Sequence, residues 1–123
     1  MTAQGITAPQ GEVTIGGEAR AVRFDHAQIR ETELTWQALT GNVMGYLGIL
    51  YQAETGVYAA LCALAYGAIV SAQLAGGTRR KDCMRLVRFD AAADYHEVLS
   101  AQDELTRMAK EALSAPGNKQ KNA

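Results

Sequence analysis

Polar and apolar residues alternate from Glu12 to Ile15 and again from Glu18 to Phe24, on either side of Gly16-Gly17. Alternation with a period of two marks half-buried strands, and a Gly-Gly pair between two such runs marks a hairpin turn. With a loop of two or four residues, odd positions of the first strand pair with even positions of the second. Val13 and Ile15 then share a face with Val22 and Phe24, because side chains alternate along a strand. Glu18 and Arg20 fall on that face too, but nearer the turn, where they reach water. An isolated two-stranded hairpin is marginal in water, so this apolar face requires cover from the rest of the chain.

Beyond the hairpin the pattern turns helical. Asp25 is placed to cap a helix over His26 to Thr40, which Gly41 ends. The apolar residues of that segment, Ile29, Leu34, Trp36 and Leu39, match helical spacing only in part. Val43 to Tyr51 predicts a short helix, although Gly45 and Gly48 weaken it. Thr55 to Leu74 is apolar almost all round and predicts a central helix buried on most sides. Its small residues, among them Ala60, Ala63 and Gly67, permit close helix approach. After a glycine-containing loop, Arg79 to Val87 predicts a short helix with Met84 and Val87 inward. Phe89-Asp90 forms a junction in which Asp90 caps the last helix. Ala91 to Ser114 predicts one long helix, with Ala91, Tyr95, Val98, Gln102, Leu105, Ala109 and Ala112 stepping by four and three. Only Gln102 interrupts that stripe, and Ala115-Pro116-Gly117 ends it.

The expected fold is therefore α+β and mainly α, with a small N-terminal hairpin packed on a bundle of about four to five helices. Residues 1–10 read as a flexible N-terminus, 11–114 as a single domain and 115–123 as a disordered polar tail. No internal repeat is present.

Composition narrows the function. The 123 residues are 48% hydrophobic and 20% charged, with a formal net charge of −1. That balance fits one globular domain, with no electrostatic reason to seek nucleic acid or anionic lipid. Cys62 and Cys83 are too few for a disulfide scaffold or a cysteine-rich metal site. Met1 to Gln10 has neither a basic nor an apolar signal region, which leaves the cytoplasm as the expected location. The uncharged run from Thr55 to Thr78 is 24 residues, long enough to span a bilayer. Its strongly apolar part, Val57 to Val70, is 14 residues and suits a buried core helix better.

Catalytic signatures are sparse. His26 and His96 are the only histidines, and neither has a second ligand at zinc spacing. Glu31/Glu33 and Asp103/Glu104 lie one or two apart on helices and do not converge on one point. No Gly-x-Ser-x-Gly turn occurs, and Ala75-Gly-Gly-Thr78 lacks the lysine and the spacing of a phosphate loop. The reading is a protein that is not an enzyme and takes no cofactor. Apolar surface remains. Tyr46, Tyr51, Tyr58 and Tyr66 lie within 21 residues, with Trp36 just before. Such residues fill cores and are also enriched at protein interfaces. The candidate partner-binding residues are Trp36, Tyr46, Leu47, Leu50, Tyr51 and Tyr58, because a domain this small cannot easily bury all of Val43 to Leu74 alone.

The order of these parts resembles a known family. Gly11-Glu-Val-Thr-Ile-Gly-Gly-Glu-Ala-Arg-Ala-Val-Arg-Phe24 is similar to the opening hairpin of tail assembly chaperones of long-tailed phages and gene transfer agents. Ile29-Arg-Glu-Thr-Glu-Leu34 with Thr40-Gly41 resembles the helix that follows in that family, and Leu61-Cys-Ala-Leu-Ala-Tyr-Gly67 its Ala-rich central helix. The resemblance covers about residues 11–114. After the central helix the family commonly carries Thr-x-Glu-Glu-Val, where this chain has the basic Thr78-Arg-Arg-Lys-Asp-Cys83. The likeness implies a chaperone that binds and solubilises the tape measure protein, helps to recruit tail tube subunits and self-associates. It implies helix-in-groove binding and no association with nucleic acid or membrane. Competing readings are a scaffolding or tail protein retained in the particle and a small membrane-associated protein built on Thr55 to Leu74.

Overall fold

The computed structural model describes residues 8–114. Strands β1 (Gln10–Ile15) and β2 (Glu18–Arg23) form an antiparallel hairpin in which Ile15 pairs with Glu18 and Gln10 with Arg23. Six α-helices follow: α1 (His26–Thr40), α2 (Tyr46–Glu54), α3 (Tyr58–Ala75), α4 (Leu86–Ala92), α5 (Tyr95–Ser100) and α6 (Gln102–Leu113). The architecture is α+β and mainly α, as expected. The hairpin uses the two-residue loop, with Gly16 and Gly17 both at positive φ (67° and 79°), the geometry of the tight hairpin turn. Val13, Ile15, Val22 and Phe24 are all buried, so the apolar face does pack on the helices.

Helix α3 lies at the centre. It packs against α1, β2, α2, α5 and α6, and its residues from Ala60 to Ala65 and from Gly67 to Ser71 are buried. Its closest neighbour is α1. A Cβ placed on Gly67 would stand 2.5 Å from Thr32 Oγ1 and 3.0 Å from Thr32 N, so only glycine admits this approach of the two backbones. The face that α1 turns inward is polar: Gln28, Glu31, Thr32 and Thr35, followed by Trp36. Their spacing is helical, at intervals of three and four. Leu34 stands two residues before Trp36, roughly 200° round the helix at 100° per residue, and points outward. The apolar spacing of α1 was imperfect for this reason: its buried stripe is made of polar residues.

Those polar groups are paired. The Tyr46 hydroxyl donates to Gln28 Oε1 at 2.7 Å, Gln28 Nε2 donates to Thr32 Oγ1 at 2.8 Å, and Thr32 donates to the Ala63 carbonyl at 3.2 Å. The chain of bonds ties α2, α1 and α3 together inside the core, where an unpaired polar group is costly. Asp25 caps α1 by accepting from Gln28 N–H and also accepts from Ser71 on α3. Burial acts to raise its pKa, yet the Ser71 hydroxyl, the Gln28 amide and Arg23 together hold it below the ordinary aspartate value.

Several expectations for the second half need correction. The central helix begins at Tyr58 rather than Thr55, because Gly56 adopts φ 87° and closes α2. There Val57 N–H donates to the Gln52 carbonyl and Gly56 N–H to the Ala53 carbonyl, the paired bonds of a glycine helix stop. Helix α2 starts at Tyr46 rather than Val43. Gly45 offers no side-chain cap, and the Glu33 carboxylate of α1 instead accepts the Tyr46 N–H at 2.8 Å. Arg79 to Val87 is a single 3-10 turn (Arg80–Asp82) leading into α4, with Met84 half-buried and Val87 76% exposed. Phe89 is not a junction but the buried residue of α4, with its ring edge-on to Tyr66. The long helix expected over Ala91 to Ser114 is instead the end of α4 followed by two separate helices, α5 and α6. Asp94, not Asp90, is the cap: it accepts from His96 and Glu97 N–H and diverts the chain after Ala92. Of the expected stripe, Val98, Leu105 and Ala109 are buried, while Ala91 and Tyr95 face out. Gln102, the polar interruption, donates to the Ala53 and Glu54 carbonyls and so caps the end of α2. Of the N-terminus expected to be flexible over residues 1–10, Gln10 already belongs to β1; residues 1–7, the tail expected at 115–123 and the Ala115-Pro116-Gly117 stop lie outside the described residues.

Candidate partner-binding surface

Three of the six candidate residues belong to the core. Trp36, Tyr46 and Leu50 are buried. Tyr46 is the outer end of the hydrogen-bonded chain through Gln28, and burial pushes its phenol far above the ordinary value, the bond to Gln28 offsetting only part of that. The Trp36 indole Nε1 is buried with no hydrogen-bond partner among the described residues. Tyr58 is half-buried at the start of α3, and its ring lies 5.1 Å from that of Tyr95.

The other two stand on the outside. Leu47 is 69% exposed and Tyr51 64% exposed, one turn apart on the outer face of α2. Val43, in the non-helical lead into α2, is 82% exposed, and Leu34 on α1 is 52% exposed. Glu33, beside Leu34, holds the first amide of α2, so these residues belong to adjoining elements. No charged residue occurs between Glu33 and Glu54. At the far end of α2, Glu54 forms an ion pair with Lys110 of α6. The result is a pair of large apolar side chains one turn apart on α2, Leu47 and Tyr51, with Val43 also exposed in the lead into the helix, on an uncharged segment. Leu34 and Val43 were not among the sequence candidates. Leu34 is legible once Trp36 and Leu39 are taken as inward, because it then falls on the opposite side of the helix.

A second surface feature is a groove of about 420 Å³ between β1, α5 and the start of α6, lined by Glu12, Asp94, His96, Glu97 and Glu104 among others. Three of these four carboxylates are engaged within the fold. Glu97 accepts the Gly16 amide at 2.7 Å and the Gly17 amide at 2.9 Å, fastening the hairpin tip to α5. Asp94 caps α5, and Glu104 pairs with Arg107. His96 is exposed, with its ring edge-on to Tyr95. Among the described residues no three His, Cys, Asp or Glu side chains form a metal site.

Cys62 and Cys83 are buried and unpaired with each other. Burial pushes the Cys62 thiol up to about 11, and Asp90 adds to this. Helix α3 has the length and mean hydropathy (1.5) of a membrane-crossing helix, yet here it is the packed centre of the domain. No protein-family model, curated protein or solved structure matches the chain at a significant level.

Proposed function

We propose that this chain is a non-enzymatic tail-assembly-type chaperone that binds and solubilises an apolar helical partner, the tape measure protein, in the cytoplasm. One observation carries the reading: the uncharged segment around α2 turns Val43, Leu47 and Tyr51 to solvent. Large apolar side chains grouped on the outside of a small domain mark a surface that a partner covers. Leu47 and Tyr51, one helical turn apart, suit the apolar stripe of an amphipathic helix, whose anchors repeat at three and four. The absence of charge suits a long, apolar partner, since no side chain there would lose a hydration shell when covered. The order of hairpin, α1 and Ala-rich α3 agrees with the family resemblance noted above. In this reading α3 is a core helix and the polar groups of the groove are structural.

The test is co-expression with a tape-measure-like helical segment that precipitates alone. The expected result is a soluble complex with the wild-type chain and loss of that complex with Leu47→Glu/Tyr51→Lys, whose circular dichroism stays unchanged. A segment that precipitates equally with and without the chain, or a double variant that binds as well as wild type, would falsify the reading.

A further inference from the structure

Positive charge is concentrated between the end of α3 and the first turn of α4. Residues 79–88 hold Arg79, Arg80, Lys81, Arg85 and Arg88 against Asp82 alone, a net +4 in a chain whose total is −1. Arg79 pairs with Asp82, and Arg80 reaches Glu31 on α1. Lys81, Arg85 and Arg88 are exposed and form no ion pair among the described residues. Elsewhere the fold leaves little cationic charge over: of the other described lysines and arginines, Arg20, Arg23, Arg107 and Lys110 are paired and Arg30 alone is not. The three unpaired cations stand on a fixed backbone. The Tyr66 hydroxyl donates to the Met84 carbonyl at 2.7 Å, the Met84 N–H donates to Gln73 Oε1 at 2.8 Å, and Cys83 and Phe89 are buried. The Arg88 N–H donates to the Arg85 carbonyl at 3.0 Å, which sets those two residues one turn apart. Between them in sequence, Val87 is largely exposed.

We infer that the segment Lys81–Arg88 is a docking surface for an acidic segment of a partner protein, one whose carboxylates flank an apolar side chain. Charge complementarity selects the sign. A carboxylate taken up by Arg85 or Arg88 gains a forked, charge-assisted hydrogen bond and breaks no ion pair that the fold already uses. Val87 selects the kind of partner, because an exposed apolar side chain between two guanidinium groups matches an aliphatic residue and has no counterpart in a phosphate backbone. Asp90, exposed two residues beyond Arg88, repels a polyanion that would run on along the chain, so a short acidic peptide fits better than nucleic acid. The backbone is held from behind, so docking orders side chains and little else. Exposed charges are screened by salt, and the contact therefore weakens as ionic strength rises. It does not rest on helix binding by α2, and its failure would leave that reading untouched.

Fluorescence anisotropy tests it, with the full chain and a short labelled peptide in which glutamates flank a central leucine. Wild type is expected to bind the peptide at about 0.05 M salt and to release it at about 0.5 M, where the screening length falls to a few ångström. The same peptide with glutamines in place of the glutamates should not bind. These two comparisons use the wild-type chain and do not depend on the folding of a variant. Lys81→Gln/Arg85→Gln/Arg88→Gln is expected to lose about tenfold in affinity with an unchanged circular dichroism spectrum, since each exposed ion pair supplies only part of that factor. Val87→Ser should lose about threefold, because its apolar contact is only partly covered. Failure of wild type to bind the acidic peptide at low salt overturns the inference. So does equal binding of the neutral peptide, a triple variant that binds as well as wild type, or a Val87→Ser chain with undiminished affinity. A single-stranded oligonucleotide of the same charge held more tightly than the peptide also overturns it, and would assign the segment to nucleic acid instead.

Discussion

Helix α1 has two sides that contradict their composition. Gln28, Glu31, Thr32 and Thr35 are buried on the inner side, while Leu34 faces solvent. On the inner side a polar stripe is stable because Gln28, Glu31, Thr32 and Thr35 each have a partner and because Gly67 lets the backbones close in. Glu31 is nearly inaccessible, and Arg80 reaches it from a largely exposed position. On the outer side no such pairing is on offer, and the apolar groups are left to solvent. Burial in this domain is decided by the distance between elements and the availability of partners. Side-chain polarity alone would have placed both faces the other way round.

The largest test of this contrast is at the inner contact. Gly67→Leu would drive a side chain into Thr32 and its backbone, and a loss of about 3 kcal/mol or more is expected, read by urea denaturation. A variant as stable as wild type would show that α1 and α3 are not held this closely. Next is the polar chain itself. Gln28→Leu leaves the buried Tyr46 hydroxyl without its acceptor, and about 2 kcal/mol of stability should go. Gln28→Leu with Tyr46→Phe should cost clearly less than the two single changes together, since no orphan remains; strict additivity would dissolve the network.

A smaller effect is expected at the end of α2. Gln102→Ala removes the donor to the Ala53 and Glu54 carbonyls, and a loss of about 1 kcal/mol should appear in the same denaturation assay. If the midpoint does not move, water replaces that cap. On the outer side the expected change in stability is near zero. Leu47→Glu/Tyr51→Lys should fall within about 0.5 kcal/mol of wild type, because neither residue is packed. A strong destabilisation would mean that these side chains do belong to the core.

Alkali sharpens the picture from another direction. Cys62 is held protonated up to about 11, against an ordinary thiol value of 9.0. The folded state therefore binds a proton that the unfolded state has lost, so this contribution is whole below pH 9 and fades as pH rises through 11. Tyr46, whose phenol is also shifted upward, acts in the same sense above its ordinary 10.0. Stability should be level to pH 9 and fall beyond it, with Cys62→Ala flattening the first part of the decline. Native Cys62 should also react slowly with a thiol reagent at neutral pH; rapid labelling would contradict its burial.

Much of the fold was legible. The hairpin and its apolar face followed from alternation around Gly16-Gly17, with the loop left at two or four residues, and α1 was bounded by Asp25 and Gly41 because caps are local chemistry. The centrality of α3 followed from its apolar run. The candidate surface was half legible: aromatic density pointed to α2 but did not separate buried Tyr46 and Leu50 from exposed Leu47 and Tyr51. That division follows from helix phase, and the start of α2 is set by Glu33, a residue of another helix. The break at Asp94 was hidden for a similar reason. A continuous helix satisfies the local pattern, whereas the observed break lets Glu97 grip the turn amides of Gly16 and Gly17, some eighty residues away.

The amino-acid sequence by itself determined the hairpin and the two ends of α1, Asp25 and Gly41, because each rests on neighbours in the chain. Only the tertiary structure decided that the polar face of α1 is the buried one and that Leu47 and Tyr51 face solvent. Those outcomes depend on which backbone approaches which, and on partners that distant residues bring to one place.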